Sequence, residues 1–334
     1  MSTPLVRFAR PRALAALVLA LSLTLTACSD DDGDGGDDSQ GAEGDTTLTA
    51  RSPLTGLTLD EVPDHSIVTV KIDNSSSSAP QVGLGEADLV TEELVEGGIT
   101  RLAVSFFSSI PKDVGPVRSI RATDIGIVKP LEATLVASGG APVTVKRLRD
   151  AGITTVTEGG PGFYRRTDRS VPYNLFNKLP ALVKTLDPAD AVGPYLPFGD
   201  AELPEGAPAG GLTATFSGAS STVFTFRNGK YVNTDSFAQS GDQFTPDTVL
   251  VLRVRVGDAG YRDPAGNPVP ETKFTGTGAA MVFHDGRLVR GTWHKDGLDA
   301  PITLKARDKD LELPPGKVWI ELVPVKGGSV TVNR

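Results

Sequence analysis

The sequence predicts an α/β N-terminal domain, a mixed sheet containing a βαβ unit, followed by a β-rich α+β C-terminal domain. Three observations carry this prediction. Residues 131–156 read as strand, Gly-Gly loop, helix and strand, the order of a βαβ crossover. Residues 223–233 and 279–293 each read as two strand-like runs around Asn228-Gly229 and Asp285-Gly286, dipeptides that supply the left-handed backbone a two-residue hairpin needs. Between these parts, residues 188–211 are rich in Pro, Gly and Ala with no period, which sets a linker at 191–211 between domains at 51–190 and 212–334.

The chain starts with Arg7, Arg10 and Arg12, an apolar run over 13–27, and then Cys28. The apolar run is too short and too early to be the span of a membrane enzyme, and it fits a signal segment. Leu25-Thr26-Ala27-Cys28 resembles the lipobox of bacterial lipoproteins. The resemblance implies cleavage after residue 27, acylation of Cys28 (palmitate among the chains) and a lipid anchor on the extracytoplasmic face of the cell membrane. Two or more acyl chains at ~0.8 kcal/mol per buried methylene hold such an anchor stably. Cys28 is the single cysteine, so once acylated it leaves no thiol for a disulfide, a metal or catalysis. Residues 28–50 carry eight acids and no Lys or Arg among glycines, the composition of an extended tether. Taking three signal arginines from 33 basic residues and eight tether acids from 41 leaves 30 against 33, a balance of −3 for residues 51–334. With no basic stripe, the folded part is not expected to bind nucleic acid.

Taken in order, residues 67–72 predict a buried strand ending at Asp73-Asn74. Residues 88–96 and 99–107 read as a hairpin around Gly97-Gly98, with Glu92, Leu94, Glu96 and Arg101 on one face; read instead as a helix, 88–96 still keeps Glu92 and Glu96 neighbours. Pro116 fits the first position of a helix and Pro130 its end, with Arg118, Arg121 and Asp124 on one stripe. Cations in a first turn oppose the helix dipole, so these arginines either pair with carboxylates or hold an anion together with the free amides. In the βαβ unit that follows, ligands bind beyond the carboxyl ends of the strands, which singles out Ser138, Gly139 and Gly140. Residues 163–176 form a loop dense in arginine and aromatics that contributes Arg166 and Asn174, and a short helix is expected over 178–186. In the C-terminal part, 249–256 and 317–323 complete the set of strands, with Trp293 and Trp319 as core residues.

Lys71-Ile72-Asp73-Asn74, the run from Glu92 to Arg101, the run from Gly115 to Arg121, Ser138-Gly139-Gly140 and Val171-Pro172-Tyr173-Asn174-Leu175 resemble the YerB-like lipoproteins. So do Gly278 to Phe283 and Gly291-Thr292-Trp293-His294-Lys295-Asp296 further on. This bacterial family of unknown function has an N-terminal and a C-terminal domain. The resemblance covers most of residues 52–334 and implies an envelope location without implying an activity. The family pattern often has histidine before Gly-Gly and between Pro and Asn. Here Ser138 and Tyr173 stand in those places, so a mechanism needing those imidazoles is not implied for this chain.

His284 abuts the Asp285-Gly286 turn and His294 lies ~20 Å further along the return strand at ~3.3 Å per residue, so the two cannot share an ion. No metal and no cofactor is expected. Ser119 and Ser138 have no histidine near them in sequence and no Gly-x-Ser-x-Gly elbow, which argues against a serine hydrolase. The candidate set is therefore a ligand site rather than a catalytic one: Asp73, Asn74, Glu92, Glu96, Arg101, Arg118, Arg121, Asp124, Ser138, Gly139, Gly140, Arg166 and Asn174. Composition and motifs favour a membrane-tethered module for an anionic envelope ligand or a protein partner. Two alternatives stay open: an envelope enzyme acting on a phosphorylated or lipid-linked substrate, and an interaction protein with no small ligand. Pairing of the arginines and carboxylates in a closed core would favour the last.

Overall fold

Alternating and β-branched runs along the chain pair into one long mixed sheet, and its order was determined from a computed structural model that describes residues 50–188 and 192–334. The expected signal segment, Cys28 and the tether up to residue 49 lie outside the described residues. Among the described residues no helix is long and apolar enough to cross a membrane.

The strands of the first half are β1 (Val68–Asn74), β2 (Leu89–Leu94), β3 (Thr100–Phe106), β4 (Thr134–Val136), β5 (Thr155–Val156), β6 (Phe163–Arg165) and β7 (Leu175–Asn177), with helices α1 (Asp124–Val128), α2 (Pro142–Asp150) and α3 (Leu179–Val183). Those of the second are β8 (Ala207–Pro208), β9 (Gly211–Thr215), β10 (Ser221–Arg227), β11 (Lys230–Asn233), β12 (Thr248–Arg262), β13 (Pro268–Lys273), β14 (Gly276–His284), β15 (Arg287–Lys295), β16 (Thr303–Ala306), β17 (Lys309–Asp310), β18 (Val318–Pro324) and β19 (Ser329–Asn333). The main sheet runs β17-β16-β15-β14-β12-β18-β2-β3-β1-β4-β5, and a four-stranded sheet runs β11-β10-β9-β19. The two halves therefore share a sheet: β18 lies parallel to both β12 and β2, with Val318 opposite Thr248 on one side and Leu89 on the other.

The expected β4-α2-β5 crossover is present, with β1, β4 and β5 all parallel. Pro142 opens α2, where its missing amide hydrogen costs nothing, and Gly152 follows the helix at φ +70°. Both two-residue hairpins form as their turn chemistry requires, Arg227 pairing Lys230 and His284 pairing Arg287. Each face of the main sheet carries a core. Leu89, Ala103, Ile120, Ile127, Leu135 and Ile320 belong to the core on the α1 face. Val90, Leu102, Val104, Phe224 and Trp319 belong to the core under the four-stranded sheet.

Two local expectations are corrected. Residues 116–123 are not the first turns of a helix, because their backbone is used in tertiary pairing: Pro116 O accepts from Asp73 N (3.1 Å), Arg118 N donates to Lys71 O (2.8 Å) and Ile120 N donates to Gly139 O (3.0 Å). The helix begins only at Asp124, whose carboxylate accepts the amide of Arg121 at 2.7 Å. Second, the β2–β3 hairpin has the opposite parity to the one expected. Glu93, not Glu92, pairs with Arg101, and Glu92 pairs with Leu102. A 3-10 turn over Glu96–Gly98 sets the connection length, and a one-residue change in register moves every side chain to the other face.

Candidate functional site

Because side chains alternate across a strand, β1 and β3 put Lys71, Asp73 and Arg101 on the α1 face of the sheet, with Glu93 of β2 beside them. Lys71 is fully buried, and its ammonium lies 2.7 Å from Glu93 Oε1 and 2.8 Å from Asp124 Oδ1, both equally buried. Burial pulls the Lys71 pKa down, but the two carboxylates outweigh it and leave it raised. Burial pushes Glu93 up, with Lys71 opposing.

Next to this triad lies Glu96, in the turn. It binds Arg121 through both oxygens, Nε donating at 2.7 Å, and Arg101 Nη2 at 3.0 Å. Burial would raise its pKa; the hydrogen bonds of Arg121 and the charges of both arginines hold it down at about 2. Arg101 also donates to Ser119 O (2.8 Å) and Arg121 to Ile120 O (2.7 Å). Burial and the neighbouring charge of Arg121 lower the Arg101 pKa to about 10. Arg118 pairs through Nε with Asp73 Oδ2 at 2.9 Å, while Asp73 Oδ1 accepts the amide of Ser75 at 2.9 Å. Four cations thus meet four carboxylates, and the cluster is neutral as a whole.

One member stands apart. The Arg118 side chain is 20% exposed and stacks over Tyr173 at 5.3 Å; its Nε makes only the ion contact to Asp73, and its terminal nitrogens have no partner among the described residues. It sits beside the last residues of β1 and beyond the carboxyl end of β4, where the rule for parallel sheets places a ligand. Ser138 N donates to Arg118 O (3.0 Å), and the hydroxyls of Ser119 and Ser138 are 3.2 Å apart. The amides of Gly139 and Gly140 make no hydrogen bond among the described residues. Gly139 has φ +124° with open space around it, whereas a Cβ on Gly140 would lie 2.4 Å from the buried Ile120 Cγ1. Gly140→Ala is therefore expected to cost ~1–3 kcal/mol by overpacking, measured by urea denaturation. A neutral result would show that the loop does not need this close approach.

Of the remaining candidates, two lie on the other face of the sheet and two are engaged within their own loop. Asn74 and Glu92 lie on the other face, under the four-stranded sheet, where Asn74 Nδ2 and Thr222 Oγ1 donate to Glu92 Oε1 at 2.9 and 3.0 Å. Arg166 pairs with Asp168 at 2.6 Å and stacks on Phe176, and the Asn174 side chain accepts from Arg165 Nη1 at 2.6 Å. Sequence reasoning did not single out Lys71 as a functional charge, and it missed Glu93 and Glu321. The signal was there for Lys71 and Glu321, each a charged residue flanked on both sides by apolar ones within its strand; Glu93, next to Glu92, had no such mark.

Fold and site together define a mixed α/β protein built on one long sheet with charged groups buried on both faces. Residues 54–192 match the N-terminal domain, and residues 212–320 the C-terminal domain, of the family described as protein of unknown function (DUF3048), and the chain belongs to that family. It is 25% identical over 296 residues to the protein named "Putative lipoprotein YerB" of Bacillus subtilis (strain 168), covering 84% of this chain and 88% of that one. The crystal structure of the YerB protein from Bacillus subtilis matches with a TM-score of 0.71 at 22% identity, over 84% of this chain and 99% of that chain. The YerB-like resemblance and the mixed α/β class read from the sequence are both borne out.

Proposed function

We propose that this chain is a lipid-anchored extracytoplasmic binding module that presents the mouth around Arg118 to an anionic group on an envelope ligand or protein partner. The lipobox-like run ending at Cys28 and the lipoprotein name of the relative support the anchor. The observation that carries the ligand reading is the unequal state of the cations. Lys71, Arg101 and Arg121 are consumed by buried or largely buried carboxylates, whereas the two terminal nitrogens of Arg118 have no partner among the described residues and lie beside two hydroxyls and two glycine amides. A planar guanidinium with two free donors suits a phosphate or carboxylate. An envelope enzyme would need a free acid or base here, but Asp73 is engaged by Arg118 and Ser75, and Glu96 by Arg101 and Arg121. The closure of those pairs favours, as a second reading, an interaction module with no small ligand.

The test is the thermal shift of residues 51–334, which fall within the compact unit Leu48–Arg334, against phosphate, pyrophosphate and anionic wall fragments. A ligand at a hundred times its Kd stabilises by ~2.7 kcal/mol, a rise of several degrees. That rise is expected to vanish in Arg118→Ala, read against the variant's own unliganded melting temperature, which should itself fall because the change leaves the buried Asp73 carboxylate without its cation. A shift that survives in Arg118→Ala would place the ligand elsewhere, and no shift with any anion would leave the second reading.

A further inference from the structure

A cavity of about 350 Å³ opens on the opposite side of the main sheet from Arg118, between the end of β1, the start of β10 and the turn after β11. Asn74, Ser220, Thr222, Asn233 and Asp235 give it a hydrogen-bonding wall, and Phe237 gives it an apolar flank; no Lys or Arg lines it. Two of the wall residues, Asn74 and Thr222, are the ones that hydrogen-bond Glu92. Glu92 is fully buried behind them, and directly opposite it across the parallel β2–β18 pair is Glu321, also fully buried. The polar neighbours of Glu321 are Glu92 and the Trp319 indole, and neither carboxylate oxygen has a hydrogen-bond partner among the described residues. Asp235 stands at the exposed rim, with one oxygen accepting from Val223 N at 2.9 Å and the other unengaged.

The two faces of the sheet are therefore charged by different rules. Around Lys71 every acid has a cation, but around Glu92 there is none among the described residues: Glu321 from β18 and Asp235 from the turn after β11 are its titratable neighbours, with Asn74, Thr100 and Thr222 the polar ones. Burial holds protons on these carboxyls, and once Glu92 ionises no cation among the described residues answers it, so its negative potential reaches the adjoining space. A cation drawn by that potential has room in the cavity. A divalent metal would need several oxygens converging on one point, and no such cluster exists among the described residues. An ammonium group needs only single acceptors for its hydrogens.

We propose that this cavity binds a small hydroxylated molecule carrying a protonated primary amine, the ammonium resting on Asp235 and the hydroxyls on the Ser, Thr and Asn side chains of the wall. Asp235, joined by Glu92 beneath once that carboxyl ionises, makes the site selective for a cation. Burial, with Asp235 adding to it, raises Glu92 to about 7 against the hydrogen bonds of Thr100 and Thr222, so the negative charge behind the wall grows as pH rises through neutrality.

The probes are glucamine, a six-carbon polyol whose primary amine stays protonated at pH 8, and sorbitol, the same body with a hydroxyl in its place. Each is titrated calorimetrically into residues 51–334. Glucamine is expected to bind at least tenfold more tightly than sorbitol, and more tightly at pH 8 than at pH 6. Asp235→Asn, which keeps the acceptor for Val223 N, should reduce glucamine to the level of sorbitol. Glu92→Gln, which keeps the contacts to the wall, should still bind glucamine but lose the rise with pH. Arg118→Ala should leave glucamine binding intact, so the outcome is independent of the anion site. Equal affinity for the two probes, absence of binding by both, or glucamine affinity unchanged in Asp235→Asn would each overturn the proposal.

Discussion

Replacing Lys71 with methionine is expected to destabilise the folded chain by about 3–5 kcal/mol at neutral pH, the cost of stranding buried charge. The side chain is nearly isosteric, so little packing is lost; what goes is the one ammonium between Glu93 and Asp124, all three being completely buried. Without it, burial and the charge of Asp124 push the Glu93 carboxyl up with no ammonium to oppose them. A carboxyl whose folded-state pKa is raised favours the folded state most in acid, so the deficit of the variant should shrink as pH falls towards the carboxylate range and grow as it rises. Urea denaturation followed by the fluorescence of Trp293 and Trp319 across pH 4–8 would measure this. Adding Glu93→Gln to Lys71→Met should recover part of the loss, because it removes one of the two stranded charges. A loss below ~1 kcal/mol, or a deficit independent of pH, would mean that the triad is not held together by its charges.

The second large effect belongs to Glu92. Its pKa is raised from 4.5 to about 7, chiefly by burial, so the folded state holds a proton that the unfolded chain releases. Stability from this group is complete below pH 4.5, falls as pH rises through 7 and is level above. At 1.36 kcal/mol per unit the span is about 3 kcal/mol. Glu321 is raised by burial and by Glu92 and works in the same direction. Other groups titrate nearby: His284, lowered by burial, contributes in the opposite sense below its usual range. The informative quantity is therefore the difference between Glu92→Gln and the parent. The two should be nearly equal at pH 5, with the variant ahead by about 3 kcal/mol at pH 8. Parallel stability curves would show that Glu92 is ionised throughout and compensated by a group other than those named.

Local features of this fold were legible in the sequence, and features set by partners far along the chain were not. Asn228-Gly229 and Asp285-Gly286 fix their turns by their own backbone preferences, with φ of +51° and +79° in the first and +45° and +67° in the second. The βαβ unit was readable for a similar reason: Pro142 and Gly152 bound α2 within one short window. Residues 116–123 carried an equally good local signal for a helix, yet edge pairing with β1 and with Gly139 took their backbone amides and carbonyls. The candidate set held the right residue types but assumed one shared face. Hairpin parity divides them: Asp73 and Arg101 stand on one side of the sheet, Asn74 and Glu92 on the other. The opposition of Glu92 and Glu321 was beyond local reading, because it depends on β18 choosing β2 as its neighbour.

The central position of β18 also has a consequence for how the chain matures. Val318–Pro324 is made after every other strand of the main sheet, yet it fills the slot between β12 and β2 in the middle of the sheet. Until it arrives, β2 keeps one edge unpaired, with Leu89, Val90 and Thr91 open to any other strand, which is the usual template for aggregation. Closure across so long a loop makes for high contact order and slow assembly. The main sheet is therefore completed only once β18 is available, and a protein truncated before Val318 would be lost to self-association rather than persist as a working N-terminal half.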